Sequence, residues 1–358
     1  MDVVSTPADF EPAYYGARGD GVHDDAPALN AMIAEMAARY TTLPEGTYLG
    51  AGCARLGPHV YRCKSSVNMT PMVKANKNPS FHVSLRGEGP TSSVLLFDNG
   101  GLIGTDYHPG NFSSESSVFD LGVVNDDPKN ETTSGIYYRG AADCHLDRVA
   151  VSGWRENITL IDVDQQTISR VKHLTSPRGV PAYPAGHPEG PRSIGVAMYG
   201  ACNQVSVSDQ QFNGPGLGIL HAGGVGHFVR RCNSEGGILA RVTDAHLVVH
   251  EGWTTEGMDE TETPCLFHIS DGGSKANVLA AVGVMIRESF FGGSTTRPVV
   301  HVDDQAVVTG FQWRRNQVAH APSWGAIRLP YRSHLSGDVD VDAFGLPGKT
   351  PLFGMPPT

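Results

Sequence analysis

Tyr15-Gly16-Ala17-Arg18-Gly19-Asp20-Gly21-Val22-His23-Asp24-Asp25-Ala26-Pro27-Ala28-Leu29-Asn30-Ala31-Met32-Ile33, continued by Leu43-Pro44-Glu45-Gly46-Thr47-Tyr48-Leu49, is the stretch that decides the fold. Gly16, Gly19 and Gly21 permit a tight turn with positive φ, a conformation that a Cβ makes costly. Asp24 and Asp25 stand where a helix N-cap belongs, and Pro27 suits a first helical turn. Leu29, Met32, Ile33 and Met36 recur at steps of three and four, giving a helix over 26–40 one apolar face. The aspartates therefore read as turn and cap chemistry rather than as a catalytic pair.

Outward from this segment, composition narrows the choice. The chain has 358 residues with 43 Gly and 24 Pro, and only 18% are charged. That composition suits a turn-rich β architecture. A net charge of −10 argues against nucleic acid, which needs a basic surface. No run of some 18 apolar residues predicts a membrane span, and Met1–Pro12 lacks the pattern of a signal peptide. A virion or extracellular setting is the expectation. The six cysteines, Cys53, Cys63, Cys144, Cys202, Cys232 and Cys265, form no C-x-x-C pair and read as reduced core residues.

Strand-like runs begin near residues 145, 168, 203, 226, 246 and 306, with several steps of 20–23 residues. Such a period suits one coil of a parallel solenoid. Val149, Val171, Val205, Phe228 and Val248 are expected to point inward. Residues 51–110 read as mostly irregular, with strands at 81–85 and 94–97 around the turn at 86–90. The predicted organisation is an entry segment over 1–50, coils over 51–335 with a proline-rich insert at 177–192, and an irregular tail over 336–358.

The opening segment resembles that of the pectate-lyase-like right-handed parallel β-helix superfamily, with its aromatic-Gly-Ala-basic-Gly-Asp-Gly, Asp-Asp and Pro-x-Gly-x-Tyr elements. The superfamily includes polygalacturonase-like glycosidases, polysaccharide lyases and bacteriophage tailspike depolymerases. The resemblance implies an all-β, single-stranded right-handed parallel β-helix with a short N-terminal capping helix. It also implies a polysaccharide partner, a glycoside hydrolase or lyase activity of the tailspike type, and a homotrimer by analogy with related spikes. The alternative is a non-catalytic virion tail component or glycan-binding protein. The Asn-Thr-Asp, Gly-His-Gly and Arg-Ile-Lys motifs of polygalacturonases and the Trp-Ile-Asp-His element of pectate lyases are missing. No catalytic residue therefore transfers by motif.

Candidate site residues come instead from aligning the coils. Glu235 and Glu256 fall in one column on consecutive coils, where strands about 4.8 Å apart would set two carboxylates at the separation of a retaining glycosidase pair. Asp209 and Glu251 are second choices. Trp253 reads as a platform for a sugar ring, and Arg230 and Arg231 as cations for an acidic sugar. Asp120, Asp126 and Asp127 could bind Ca²⁺ through oxygen ligands; no other cofactor or metal is expected. His173, His221, His227 and His250 lie on or near the repeat strands, where a lyase could use a base, although packing is the simpler role.

Overall fold

The computed structural model describes residues 10–40, 52–70, 83–106, 113–114, 116–174, 193–214, 216–235, 237–256, 265–270, 278–294, 296–329, 335–336, 340–341, 346 and 351–354. The insert expected at 177–192 lies outside them. The chain is a right-handed parallel β-helix with one short N-terminal helix. It divides into two compact units, Met1–Pro191 and Arg192–Thr358.

In the first unit the helix spans Ala26–Tyr40, and Leu29, Met32, Ile33 and Met36 are all buried. Full burial of each such side chain contributes about 1.5–3 kcal/mol. Gly16, Gly19 and Gly21 have φ of 92°, 62° and 72°. Asp25 closes the first helical turn through its carbonyl, which accepts from Leu29 N at 3.0 Å. Its buried carboxylate turns the other way and accepts from Arg18 N at 2.7 Å and Gly19 N at 3.0 Å. The capping carboxylate is Asp24, whose Oδ1 accepts from Ala26 N at 3.3 Å and Lys64 N at 3.1 Å. One aspartate thus fastens the glycine turn and the other the helix start. Residues read as pure turn also form a strand, Asp20–Asp24, paired in parallel with Val60–Cys63.

The stretch expected to be mostly irregular carries the two expected strands, at Val83–Arg86 and Val94–Phe97, and among the described residues four more: Gly52–Arg55, Val60–Cys63, Val67–Asn68 and Leu102–Asp106. The four unexpected strands have two to five residues each and lack a continuous apolar run, so a two-residue period hardly shows in the sequence. Further on, His145–Ser152 pairs in register with Ser117–Asn125 and with Thr167–Ser169.

In the second unit, Ser206–Ser208, Val225–Arg230, Ala245–Glu251 and Val278–Arg287 stack in parallel. A second sheet runs through Ile194–Tyr199, Leu217–Ala222, Ile238–Thr243, Phe267–Ile269, Val300–Val302 and Ile327–Arg328. Val205 and Val248 point inward as expected, but Phe228 does not: it is half-buried, while His227 and Val229 are buried. Gly226, at φ 77°, inserts a left-handed corner that resets the alternation, so His227 occupies the inward column with Val248.

The buried imidazole is tolerated because it belongs to a closed chain of hydrogen bonds. Trp253 Nε1 can only donate, so His250 Nδ1 accepts from it at 3.1 Å. His250 Nε2–H then donates to His221 Nε2 at 3.2 Å, and His221 Nδ1–H donates to His227 Nδ1 at 2.9 Å. His227 Nε2–H ends the chain on Cys202 O at 2.8 Å. Three neutral imidazoles are satisfied with one proton each. Burial holds His250 down to about 3, and it lowers His221 and His227 as well. All six cysteines are free thiols, and all but Cys53 are buried.

Candidate functional site

The register Ser234↔Thr255 carries Glu235 and Glu256 to matching places on consecutive coils of the second unit, and both are exposed. Asp209 and Arg231 occupy left-handed corners, φ 55° and 51°, and join in a bidentate pair at 2.8 Å for both bonds. Glu251 accepts from Arg287 Nη2 at 2.8 Å and lies 3.9 Å from Arg230 Nε. These groups brace adjacent coils. Arg230 is exposed, with its guanidinium 5.7 Å from the Phe228 ring centre.

Trp253 is not the expected sugar platform. It is 1% exposed and stacks on Phe212 with ring centres 5.7 Å apart. The preceding Gly252, at φ 69°, turns the chain so that the indole enters the core. His173, His221, His227 and His250 are likewise fully buried, which removes them from contact with a polymer.

The proposed calcium ligands are also put to other uses, in the first unit. The Asp120 carboxylate takes both Nε and Nη2 of Arg148, which holds it below the usual carboxylate range. Asp126 faces Arg62 Nη2 at 3.6 Å, and Asp127 accepts from Lys129 N at 2.8 Å. The left-handed turn at Asp120 separates it from the pair beyond the strand end.

A different cluster stands on the outer face of the second unit's second sheet. Strand register aligns Arg241, His268, His301 and Arg328 in one column across four coils. Their strand neighbours Ala240, Val242, Phe267, Ile269, Val300, Val302 and Ile327 are buried, so alternation forces the four polar side chains outward. All four are half-buried. Asp303 and Asp304 follow the Val300–Val302 strand and close the cluster from the side.

Donor and acceptor chemistry fixes the protons. Guanidinium only donates and carboxylate only accepts. Arg241 Nε donates to His268 Nδ1 at 3.1 Å, so the His268 proton is on Nε2, which donates to Asp303 Oδ1 at 2.7 Å. Arg328 Nη1 donates to His301 Nε2 at 2.8 Å, and Arg328 Nη2 donates to Asp304 Oδ1 at 3.1 Å. Burial first, then the Arg328 charge, lowers His301 to about 4. It is therefore neutral at pH 7, with its proton on Nδ1.

By distance alone, His268, His301 and Asp303 could share a metal ion, since their ligand atoms lie within 4.8 Å of one another. The surroundings oppose it. A metal on His268 Nε2 would leave a proton on Nδ1 facing the Arg241 N–H, and His301 Nε2 is already taken by Arg328. Metal-bound histidines need an acceptor behind them, not a cation. Two guanidiniums beside two imidazoles suit an anion and a proton transfer instead.

The sequence carried a signal for this cluster: a polar residue set between apolar ones in Leu239-Ala240-Arg241-Val242, Phe267-His268-Ile269, Val300-His301-Val302 and Ile327-Arg328-Leu329.

No protein-family model matches the chain, and no curated protein matches it in sequence. Solved structures match in fold. The Streptococcus pneumoniae surface adhesin PfbA aligns at TM-score 0.63 and 14% identity, covering 97% of this chain and 92% of that one. The catalytic unit of the GH87 alpha-1,3-glucanase from Streptomyces thermodiastaticus aligns at 0.55 and 14%, covering 97% and 70%. A double mutant of the tailspike protein of Escherichia coli bacteriophage HK620 aligns at 0.55 and 10%, covering 97% and 67%. At these identities the likeness is one of fold.

Proposed function

We propose that this β-helix protein acts on an acidic polysaccharide, and that its reaction is a lyase-type elimination at the His268–His301 column. The observation that carries the reading is the set of two half-buried imidazoles flanked along one column by Arg241 and Arg328. Elimination from a uronate takes the proton beside the carboxylate, forms a carbon–carbon double bond and breaks the bond to the glycosidic oxygen, which leaves with a proton from water. It needs a base for the first proton and cations for the charge that develops at the carboxylate. An imidazole supplies the first and the guanidiniums supply the second. Asp303 orients His268 through Nε2, leaving Nδ1 as the basic nitrogen. A tailspike-type setting and a homotrimer belong to the same proposal. Light scattering of the purified chain tests the trimer.

A second reading is hydrolysis by Glu235 and Glu256, favoured by their exposure and adjacent register. The products separate the two. Digestion of a panel of acidic polysaccharides should yield products absorbing in the ultraviolet at the unsaturated uronide band, and His268→Gln should abolish them. New reducing ends without that absorbance, lost in Glu235→Gln or Glu256→Gln, would replace elimination by hydrolysis. Binding with neither product would make the protein a glycan-binding module.

A further inference from the structure

The column holds a feature that a simple acid–base site does not need. Each ring nitrogen able to take up a proton is already occupied by a guanidinium: His268 Nδ1 by Arg241 Nε, and His301 Nε2 by Arg328 Nη1. A lone pair engaged in an N–H bond cannot remove a proton from carbon. We propose that Arg241 and Arg328 are a removable mask over the two bases, and that the carboxylates of an acidic sugar chain lift it. The inference rests on the reading of this column as the reaction site and adds how the site is switched on.

The chemistry of the three partners favours the exchange. A guanidinium on a neutral imidazole makes one bond to an uncharged acceptor. On a carboxylate it makes two parallel charge-assisted bonds, about twice as strong each. Arg328 also keeps an anchor when it leaves His301, because Nη2 holds Asp304 and Nη1 lies 3.3 Å from Val302 O. Its guanidinium can therefore swing without leaving the site. Arg241 and Arg328 stand at the two ends of the column, three strand steps of about 4.8 Å apart, roughly 14 Å. Lifting both therefore takes an oligomer carrying more than one carboxylate. A neutral glycan leaves the mask in place, so selectivity for acidic chains is exercised at the bases themselves.

The test uses the full chain with ¹⁵N-labelled histidine, and trigalacturonate against its carboxyl-reduced trisaccharide. Trigalacturonate should bind at least tenfold more tightly than the reduced sugar and shift the resonances of His268 Nδ1 and His301 Nε2. The reduced sugar and matched sodium chloride should leave both in place. Arg241→Met should show the unmasked His268 resonance without any sugar, and Arg328→Met that of His301. Equal binding of the two sugars, no binding of trigalacturonate, or binding that leaves both ring nitrogens unmoved would overturn the proposal. The ring response with no elimination product would keep the mask and remove the lyase reading. Elimination without the ring response would do the reverse.

Discussion

Acidification from pH 7 to pH 5 should destabilise the second unit, through the buried imidazole chain His250–His221–His227. Each ring donates once and accepts once, so a second proton on any of them sets two donors against each other. Folded His250 stays neutral until about pH 3, whereas the unfolded residue takes up a proton around 6.5. A histidine held down in this way gives stability that is fully present above 6.5 and is lost as pH falls from there toward 3. At pH 5, some 1.5 units below the unfolded value, His250 alone removes about 2 kcal/mol, at 1.36 kcal/mol per unit. That magnitude depends on the unfolded value, because the folded one already lies well below pH 5. Burial lowers His221 and His227 in the same direction, so both add to the loss. Even the His250 share alone is a large fraction of the roughly 5–15 kcal/mol that holds a typical domain folded. Urea titrations at pH 7 and pH 5 measure the loss. Unfolding calorimetry in two buffers of different ionisation enthalpy counts the protons taken up. An unchanged urea midpoint, or an uptake below one proton at pH 5.5, would refute the neutral chain.

Three other outcomes follow from single residues. Asp25→Ala leaves the Arg18 and Gly19 amides without their charged acceptor and should cost about 2–3 kcal/mol in chemical denaturation. Glu288→Gly removes a side chain from a left-handed residue at φ 52° and should stabilise by about 1 kcal/mol in thermal melts, because its pair with Arg315 is exposed and weak. Trp253→Phe deletes the donor to His250 Nδ1; it should weaken folding while leaving the affinity of folded protein for acidic sugar unchanged, as read by calorimetric titration.

The sequence was legible where a local pattern met a local structure. The helix over 26–40 and its four buried apolar residues could be read because a 3.6-residue period, an aspartate start and a proline all fall within one short segment. The parallel stacking of the valine-rich strands was legible for the same reason. Corners were not. Left-handed Asp120, Arg148, Asp209 and Arg231 resemble ordinary strand residues, yet each resets the alternation. Gly226 does the same two residues before Phe228, which is why Phe228 was taken to point inward, and the corners at Asp209 and Arg231 are why those two looked like groove residues rather than a brace. Trp253 was misread because the indole of a turn tryptophan can face either way, and Phe212 decides it. The histidine column was illegible as a set. Its members stand 27, 33 and 27 residues apart (268 − 241, 301 − 268, 328 − 301), longer steps than the 20–23-residue period read from the other strands. Only the strand register brings them together.

The central claim is that the acidic chain binds along Arg241, His268, His301 and Arg328. A crystal structure of the His268→Gln protein soaked with an oligogalacturonate tests it directly. The account predicts sugar density along this column, with a carboxylate within about 3 Å of the Arg241 or Arg328 guanidinium. Sugar seated instead on the corner of Glu235 and Glu256, with the column bare, would contradict it.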